Sequence, residues 1–175
     1  MADSLGPARL GPVRLVAIDG PSGSGKSVLA DALAQDLRDA GTGTALVRTD
    51  DFATWDDPVA WWPRLRDGVL VPLAAGSPGS YVRTDWSGGQ PRPGSVITVN
   101  PPKVLLIEGV SAGRRSIRPL LSALMWRELP DPEERLERAV ARDGEGSRAP
   151  LMAWQRFENG WFAVDGTKAA ADHTV

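Results

Sequence analysis

Apolar positions along this chain alternate between two spacings. Residues 13–18 form a short β-branched apolar run that predicts a buried strand. Val28, Leu29, Ala32, Leu33 and Leu37 then recur at helical spacing, and Gly41 and Gly43 end that run. A second strand is predicted over 44–49, a short helix carrying Trp61, Trp62 and Leu65 over 58–66, and the most uniformly apolar strand over 103–109. Between 67 and 102, Gly, Pro and Ser are frequent, with brief apolar pieces at 69–71 and 96–99. That composition predicts an excursion from the sheet, a hairpin or lid-like loop.

Further on, 116–122 reads as helix and 124–129 as strand. A helix then opens at the N-cap Asp131, with Pro132 in its first position and Glu134 completing a capping box; Leu136, Ala139 and Val140 form its buried side. A polar loop over 143–148, a final helix over 150–162 and the start of a last strand over 171–175 close the chain. Strands alternating with helices predict a three-layer α/β/α domain over 13–175, with a mostly parallel sheet of about five strands. Residues 1–12 read as a short disordered lead-in.

The junction between the first strand and the first helix carries the strongest signal. Gly20-Pro21-Ser22-Gly23-Ser24-Gly25-Lys26-Ser27 has the spacing G-x-x-x-x-G-K-[ST], in the order strand, glycine loop, helix. Glycines let the backbone turn tightly enough for successive N–H groups to face a phosphate, and the helix N-terminus adds its partial positive charge. Gly20, Ser22, Gly23, Ser24, Gly25 and Val28 would form this cradle for a nucleotide, Lys26 would reach the β- and γ-phosphates, and Ser27 would ligate Mg²⁺.

Composition narrows the chemistry further. The 175 residues contain no cysteine and one histidine, His173, which removes thiolate and multi-histidine metal sites and a histidine base near the loop. A net charge of −2 gives no electrostatic case for nucleic acid. No apolar run is long enough to span a membrane, and no apolar signal segment precedes the first strand, which is the pattern of a cytoplasmic protein. Seven tryptophans are many for this length; Trp61, Trp62, Trp154 and Trp161 read as packing residues, and any that are exposed could serve a homodimer contact.

Acidic residues fall at the ends of the predicted strands. Asp50 and Asp51 follow the second strand, and Glu108 ends the strand over 103–109. In parallel α/β sheets that rim is where ligands sit. Asp50 and Asp51 are either positioned for proton transfer or merely cap a turn. Glu108 could hold a metal through water, hydrogen-bond the loop, or be structural. Arg135, Arg138 and Arg142 share a helix face, with Arg148 in the loop beyond; such a face suits phosphate or is simply solvated.

In this order the residues resemble the P-loop kinases of the uridine kinase and pantothenate kinase group. The Ile18–Ser27 loop, Asp50-Asp51-Phe52, Ile107-Glu108-Gly109, and Arg135-Leu136-Glu137-Arg138 followed by Arg142-Asp143 are similar to that group's segments. The resemblance implies an ATP-dependent kinase for a small-molecule hydroxyl acceptor, a nucleoside or similar, with Mg²⁺ as cofactor. It favours Asp50 over Asp51 as base, and implies Lys26 and Arg142 in catalysis, Arg138 at the nucleotide, and a short lid over 142–149. Asp51, Tyr81, Asp85 and Arg114 would lie around the acceptor.

The segment over 67–102 lacks the Y-D…H pattern of uridine kinases. The loop also resembles that of cytidylate kinase, so a nucleoside monophosphate kinase, with Arg83, Arg114, Arg115 and Arg118 on the acceptor phosphate, is an alternative. A nucleotide-binding regulatory module without phosphoryl transfer is a third reading.

Overall fold

The computed structural model describes residues 5–87 and 89–175. In chain order the strands are β1 (Arg14–Asp19), β2 (Thr44–Arg48), β3 (Gly79–Asp85), β4 (Arg92–Val99), β5 (Val104–Glu108), β6 (Leu121–Trp126) and β7 (His173–Thr174). The helices are α1 (Lys26–Asp39), α2 (Trp62–Leu65), α3 (Val71–Ala74), α4 (Pro132–Asp143) and α5 (Arg148–Asp165). Five strands make one sheet in the order β2-β5-β1-β6-β7, with every pairing parallel. This is the three-layer, five-stranded architecture that the apolar pattern predicts.

The central strands are apolar throughout because both of their faces are covered. Leu15 and Ala17 of β1 and Leu105 and Ile107 of β5 face one core, while Val16, Val104 and Leu106 face a second core built with Ala34 and Leu37 of α1. The buried side of α1 is Lys26, Ala30, Ala34 and Leu37, one step round the helix from the predicted stripe, and Val28 is exposed. The loop fixes where this helix starts, so the side that faces the sheet follows from the loop and not from the apolar count.

The 67–102 stretch contains the expected excursion from the sheet, the antiparallel β3–β4 hairpin, and a few of its side chains anchor it in the main core. Val69, Leu70 and Leu73 are fully or almost fully buried, together with Leu65 just before the stretch and with Tyr81 and Val99 of the hairpin. A π-helical turn, Arg66–Leu70, joins α2 to α3, so the apolar piece at 69–71 is helical. Pro72 supplies no N–H to the i−4 carbonyl, which accounts for the local widening of the helix.

Three further predictions are corrected. The 116–122 segment contains only a 3₁₀ turn, Arg118–Leu120, and β6 begins at Leu121, because parallel pairing of Leu15 with Leu121 draws the chain into the sheet. The Asp131 carboxylate accepts from Glu133 N and Glu134 N at 2.9 and 3.3 Å, whereas the Glu134 side chain pairs with Arg138 and does not close a capping box. The disordered lead-in is the third. Residues 1–4 lie outside the described residues, but Leu10 is buried and bridges Val13, and the Pro7 carbonyl accepts from Ser122 Oγ at 2.6 Å.

Trp61 and Trp126 are buried, and the other five tryptophans are half-buried. Among the described residues, no helix is long and apolar enough to cross a membrane.

Candidate active site

The phosphate-type loop leaves β1 and enters α1 at Gly25, which takes φ 92° as the helix N-cap. No side chain caps this helix start, and its first turn carries no acidic residue, so its orphan N–H groups are left for an anion. Gly23 has φ +77°, and a Cβ there would lie 2.2 Å from the Arg135 carbonyl oxygen; only glycine fits that approach. Lys26 is buried and its Nζ donates to the Pro21 carbonyl at 2.9 Å, so the ammonium lies back across the loop.

The Ser24 hydroxyl is buried with no protein partner. An uncapped helix start, a lysine folded over it and an unpaired buried hydroxyl fit the phosphates of a nucleotide. For Mg²⁺, Ser27 Oγ donates to Glu108 Oε2 at 3.2 Å. Among the described residues no group of three or more His, Cys, Asp or Glu could hold a metal. That donor set suits Mg²⁺, which takes most of its ligands from water and phosphates.

Charged side chains that the motif does not include frame the loop. Asp19 is fully buried at the end of β1 and accepts from Gly20 N at 2.7 Å, Ser111 N at 3.2 Å and Gly113 N at 2.8 Å. Burial pushes its carboxyl up to about 7, against the lowering effect of these N–H groups and of Lys26. Arg127 Nε donates to the Ser24 carbonyl at 3.1 Å. Glu158 of α5, also fully buried, accepts from Ser22. The adjacency of Asp19 to the motif was its only sequence signal, and Arg127 and Glu158 had none.

The carboxylate rim forms where β2 and β5 end. Their register sets Arg48 beside Glu108, with Arg48 Nε 3.5 Å from Glu108 Oε2, and Arg48 Nη2 also pairs with Asp31 at 2.7 Å. Burial raises the Glu108 carboxyl above its ordinary range, while Lys26 opposes the rise. Gly109 makes this turn possible: at φ +131° a Cβ would meet Thr49 Oγ1 at 1.9 Å.

Just beyond β2 the two aspartates part company. Asp51 is half-buried and accepts from the Tyr81 hydroxyl at 2.6 Å, whereas Asp50 is exposed. Burial raises the Asp51 carboxyl, and burial with the Asp51 hydrogen bond raises the Tyr81 phenol.

The remaining candidate residues are dispersed. Arg142 is exposed, forked onto Asp143 at 2.6 Å, and feels the charges of Asp50 and Glu108. Arg138 pairs with Glu134 at 3.3 Å on the solvent face. Arg148 is held by Glu137 and Glu145. Arg135 leaves the expected arginine face altogether; it is buried, and Nη1 donates to the Leu129 and Pro130 carbonyls. Asp85 accepts from Ser87 N at 2.9 Å and so shapes the hairpin turn.

Arg114 is buried, with its guanidinium 4.9 Å from the Trp62 and Trp161 ring centroids and 5.7 Å from that of Trp61. That cage, with Nη2 donating to the Val59 carbonyl at 3.1 Å, packs the guanidinium against the indoles. Arg115 and Arg118 bind the backbone carbonyl and carboxylate region around Asp165. Of the four arginines available for an acceptor phosphate, Arg83, on β3 near Asp51, is not engaged in this way.

Three half-buried indoles gather near Asp50. Trp86 Nε1 donates to the Asp50 carbonyl at 3.0 Å, and Trp55 stands edge-on to Trp86 and Trp154, with centroids 5.1 and 6.2 Å apart. The hairpin end, the segment after β2 and α5 therefore meet beside the carboxylate rim.

No family model matches this chain, and no curated protein does either. Solved structures do. A possible uridine kinase from Bacillus stearothermophilus superposes with a TM-score of 0.67 at 19% identity, covering 93% of this chain and 88% of that one. A candidate fructose transport system kinase from Silicibacter sp. TM1040 gives 0.58 at 21% identity, with 93% and 89% covered. The YGR205w protein gives 0.52 at 12% identity, with 87% and 78% covered. What is shared at these identities is architecture: the chain has the α/β fold of small-molecule P-loop kinases, with its glycine loop between β1 and α1.

Proposed function

We propose that this protein is an ATP-dependent phosphotransferase acting on the hydroxyl of a small molecule. The observation that carries the reading is the division between Asp50 and Asp51. Asp50 is an exposed carboxylate on the same sheet rim as Lys26, Ser27 and Glu108, while its neighbour is tied to Tyr81. An acceptor hydroxyl set between Asp50 and the γ-phosphate gives its proton to the Asp50 carboxylate. Its oxygen forms the new P–O bond as the bond to the ADP oxygen breaks.

The loop amides and Lys26 hold the β- and γ-phosphates, and Arg142, released from Asp143, would turn to the transferring group. Mg²⁺, when bound at Ser27 with Glu108 behind it, neutralises phosphate charge. The monophosphate kinase reading is weakened by the engagement of Arg114, Arg115 and Arg118 elsewhere.

The test is acceptor-dependent ADP release with Mg·ATP over nucleosides, nucleoside monophosphates, pantothenate and hydroxylated metabolites. Turnover confined to one hydroxyl-bearing class is expected. Preference for a monophosphate would favour the second reading. Tight Mg·ATP binding with only background ADP release on every acceptor would replace the enzyme with a nucleotide-gated binding module.

A further inference from the structure

The buried stripe of α5 consists of Leu151, Glu158 and Asp165, at intervals of seven. An apolar side chain is the ordinary occupant of the middle position. Glu158 instead places a carboxylate there with no solvent exposure, and burial raises its affinity for a proton. Buried charge persists only where partners compensate it. Its hydrogen-bonding partners among the described residues all belong to one residue of the phosphate loop. Ser22 N donates to Oε1 at 3.1 Å and to Oε2 at 2.9 Å, and Ser22 Oγ donates to Oε2 at 2.6 Å. Lys26 and Arg135 supply the positive surroundings.

Asp165, the other carboxylate of the stripe, shows what a purely structural role looks like. It is bound by Arg115 N, Arg118 and Thr167 Oγ1, which tie the end of α5 to the turn after β5. Glu158 reaches no such scaffold group. Its bonds end on the loop, one residue before Gly23 reverses the chain at φ +77°.

We infer that Glu158 is a positioning residue of the phosphate loop. By drawing both Ser22 donors inward, it fixes the orientation in which the following amides face outward, and it joins the loop to the helix that starts in the lid. α5 begins at Arg148, which is gripped by Glu137 and Glu145 across the lid turn. Ten residues further along, about 15 Å at the helical rise, the same rod holds Ser22. A loop ordered before its ligand arrives binds more tightly because less freedom is lost on binding. The inference rests on the reading of this loop as a nucleotide site.

The experiment compares wild type, Glu158→Ala, Glu158→Gln, Ser22→Ala and Lys26→Ala. Mg·ATP affinity is read by calorimetry and amide hydrogen exchange over 20–28 by mass spectrometry, with melting followed in parallel. Glu158→Ala is expected to weaken Mg·ATP by about 10-fold or more, the scale of a lost charge-assisted hydrogen bond. It should also speed exchange in the loop while leaving β1 and β5 unchanged.

Glu158→Gln keeps an acceptor for Ser22 N and can donate to Ser22 Oγ, so it should recover most of the affinity. Ser22→Ala should lose about threefold. If Glu158→Ala does not fold, Glu158→Gln and Ser22→Ala decide by the same readouts. Wild-type Mg·ATP affinity in folded Glu158→Ala, or exchange raised uniformly across the sheet, overturns the role. Tighter binding in that variant overturns it in favour of an occluding carboxylate. A wild-type protein whose Mg·ATP binding is no stronger than that of Lys26→Ala overturns the nucleotide reading itself, a separate failure.

Discussion

The glycine loop and the carboxylate rim, which the proposed function makes its phosphate and acceptor sides, are built on opposite plans. The loop at Gly20–Ser27 is held from behind: buried Asp19 accepts from Gly20, buried Glu158 from Ser22, half-buried Arg127 donates to the Ser24 carbonyl, and the Arg135 backbone packs against Gly23. The rim offers an exposed Asp50, a half-buried Asp51 bound by the buried Tyr81, and three half-buried indoles: Trp55 after β2, Trp86 at the hairpin end and Trp154 on α5. Backbone amides must be held rigid to recognise an anion that every nucleotide shares. Selecting one hydroxyl compound needs side chains on elements that can vary without disturbing the scaffold.

The sharpest way to break this comparison is on the acceptor side. Asp50→Asn should lower acceptor-dependent turnover by roughly 10²- to 10⁴-fold, the range of a lost general base, with Mg·ATP affinity kept. Asp51→Asn should lose far less, since its carboxylate is already occupied by Tyr81. Equal losses in steady-state kcat would erase the distinction between the two aspartates.

On the phosphate side, Lys26→Ala should weaken Mg·ATP by about 10- to 100-fold without unfolding the chain. That is the equivalent of roughly 1.5–3 kcal/mol for hydrogen bonds to a charged group. Titration calorimetry reads it directly.

A subtler effect concerns Asp19. Its carboxyl is raised from the unfolded value of 3.8 to about 7, so between those values the folded chain keeps a proton that the unfolded chain releases. The contribution of Asp19 to stability therefore falls as pH rises from about 4 to about 7 and is level above that. Asp19→Asn should flatten this part of the melting-against-pH curve. It should also cost about 1–3 kcal/mol, because its amide cannot accept from Gly20, Ser111 and Gly113 together. A wild-type slope retained in the variant would move the titration elsewhere.

The smallest effect belongs to the solvent face of α4. Arg138→Ala removes an exposed i,i+4 pair with Glu134 and should change stability by no more than about 0.5 kcal/mol in chemical denaturation. A marked loss of Mg·ATP affinity in this variant would return Arg138 to the nucleotide.

Local signals in the chain determined much of this. Short, β-branched apolar runs bounded by turn signals suit central strands covered on both faces, so 13–18 and 103–109 were legible. The glycine-lysine spacing is a purely local requirement for wrapping an anion, and carboxylates directly after strands fall on the same rim by the geometry of parallel sheets. Tertiary structure alone decided what depends on distant partners. Ser22 and Glu158 are 136 residues apart, and no periodicity links them. Leu65, Val69, Leu70 and Leu73 form a core-facing helical row that Gly68 and Pro72 disguise as loop composition. Arg114 and Arg135 carry the charge of ligand-binding residues, yet indoles and backbone carbonyls enclose them. A charge's role is set by what surrounds it, and only the folded chain brings those surroundings together.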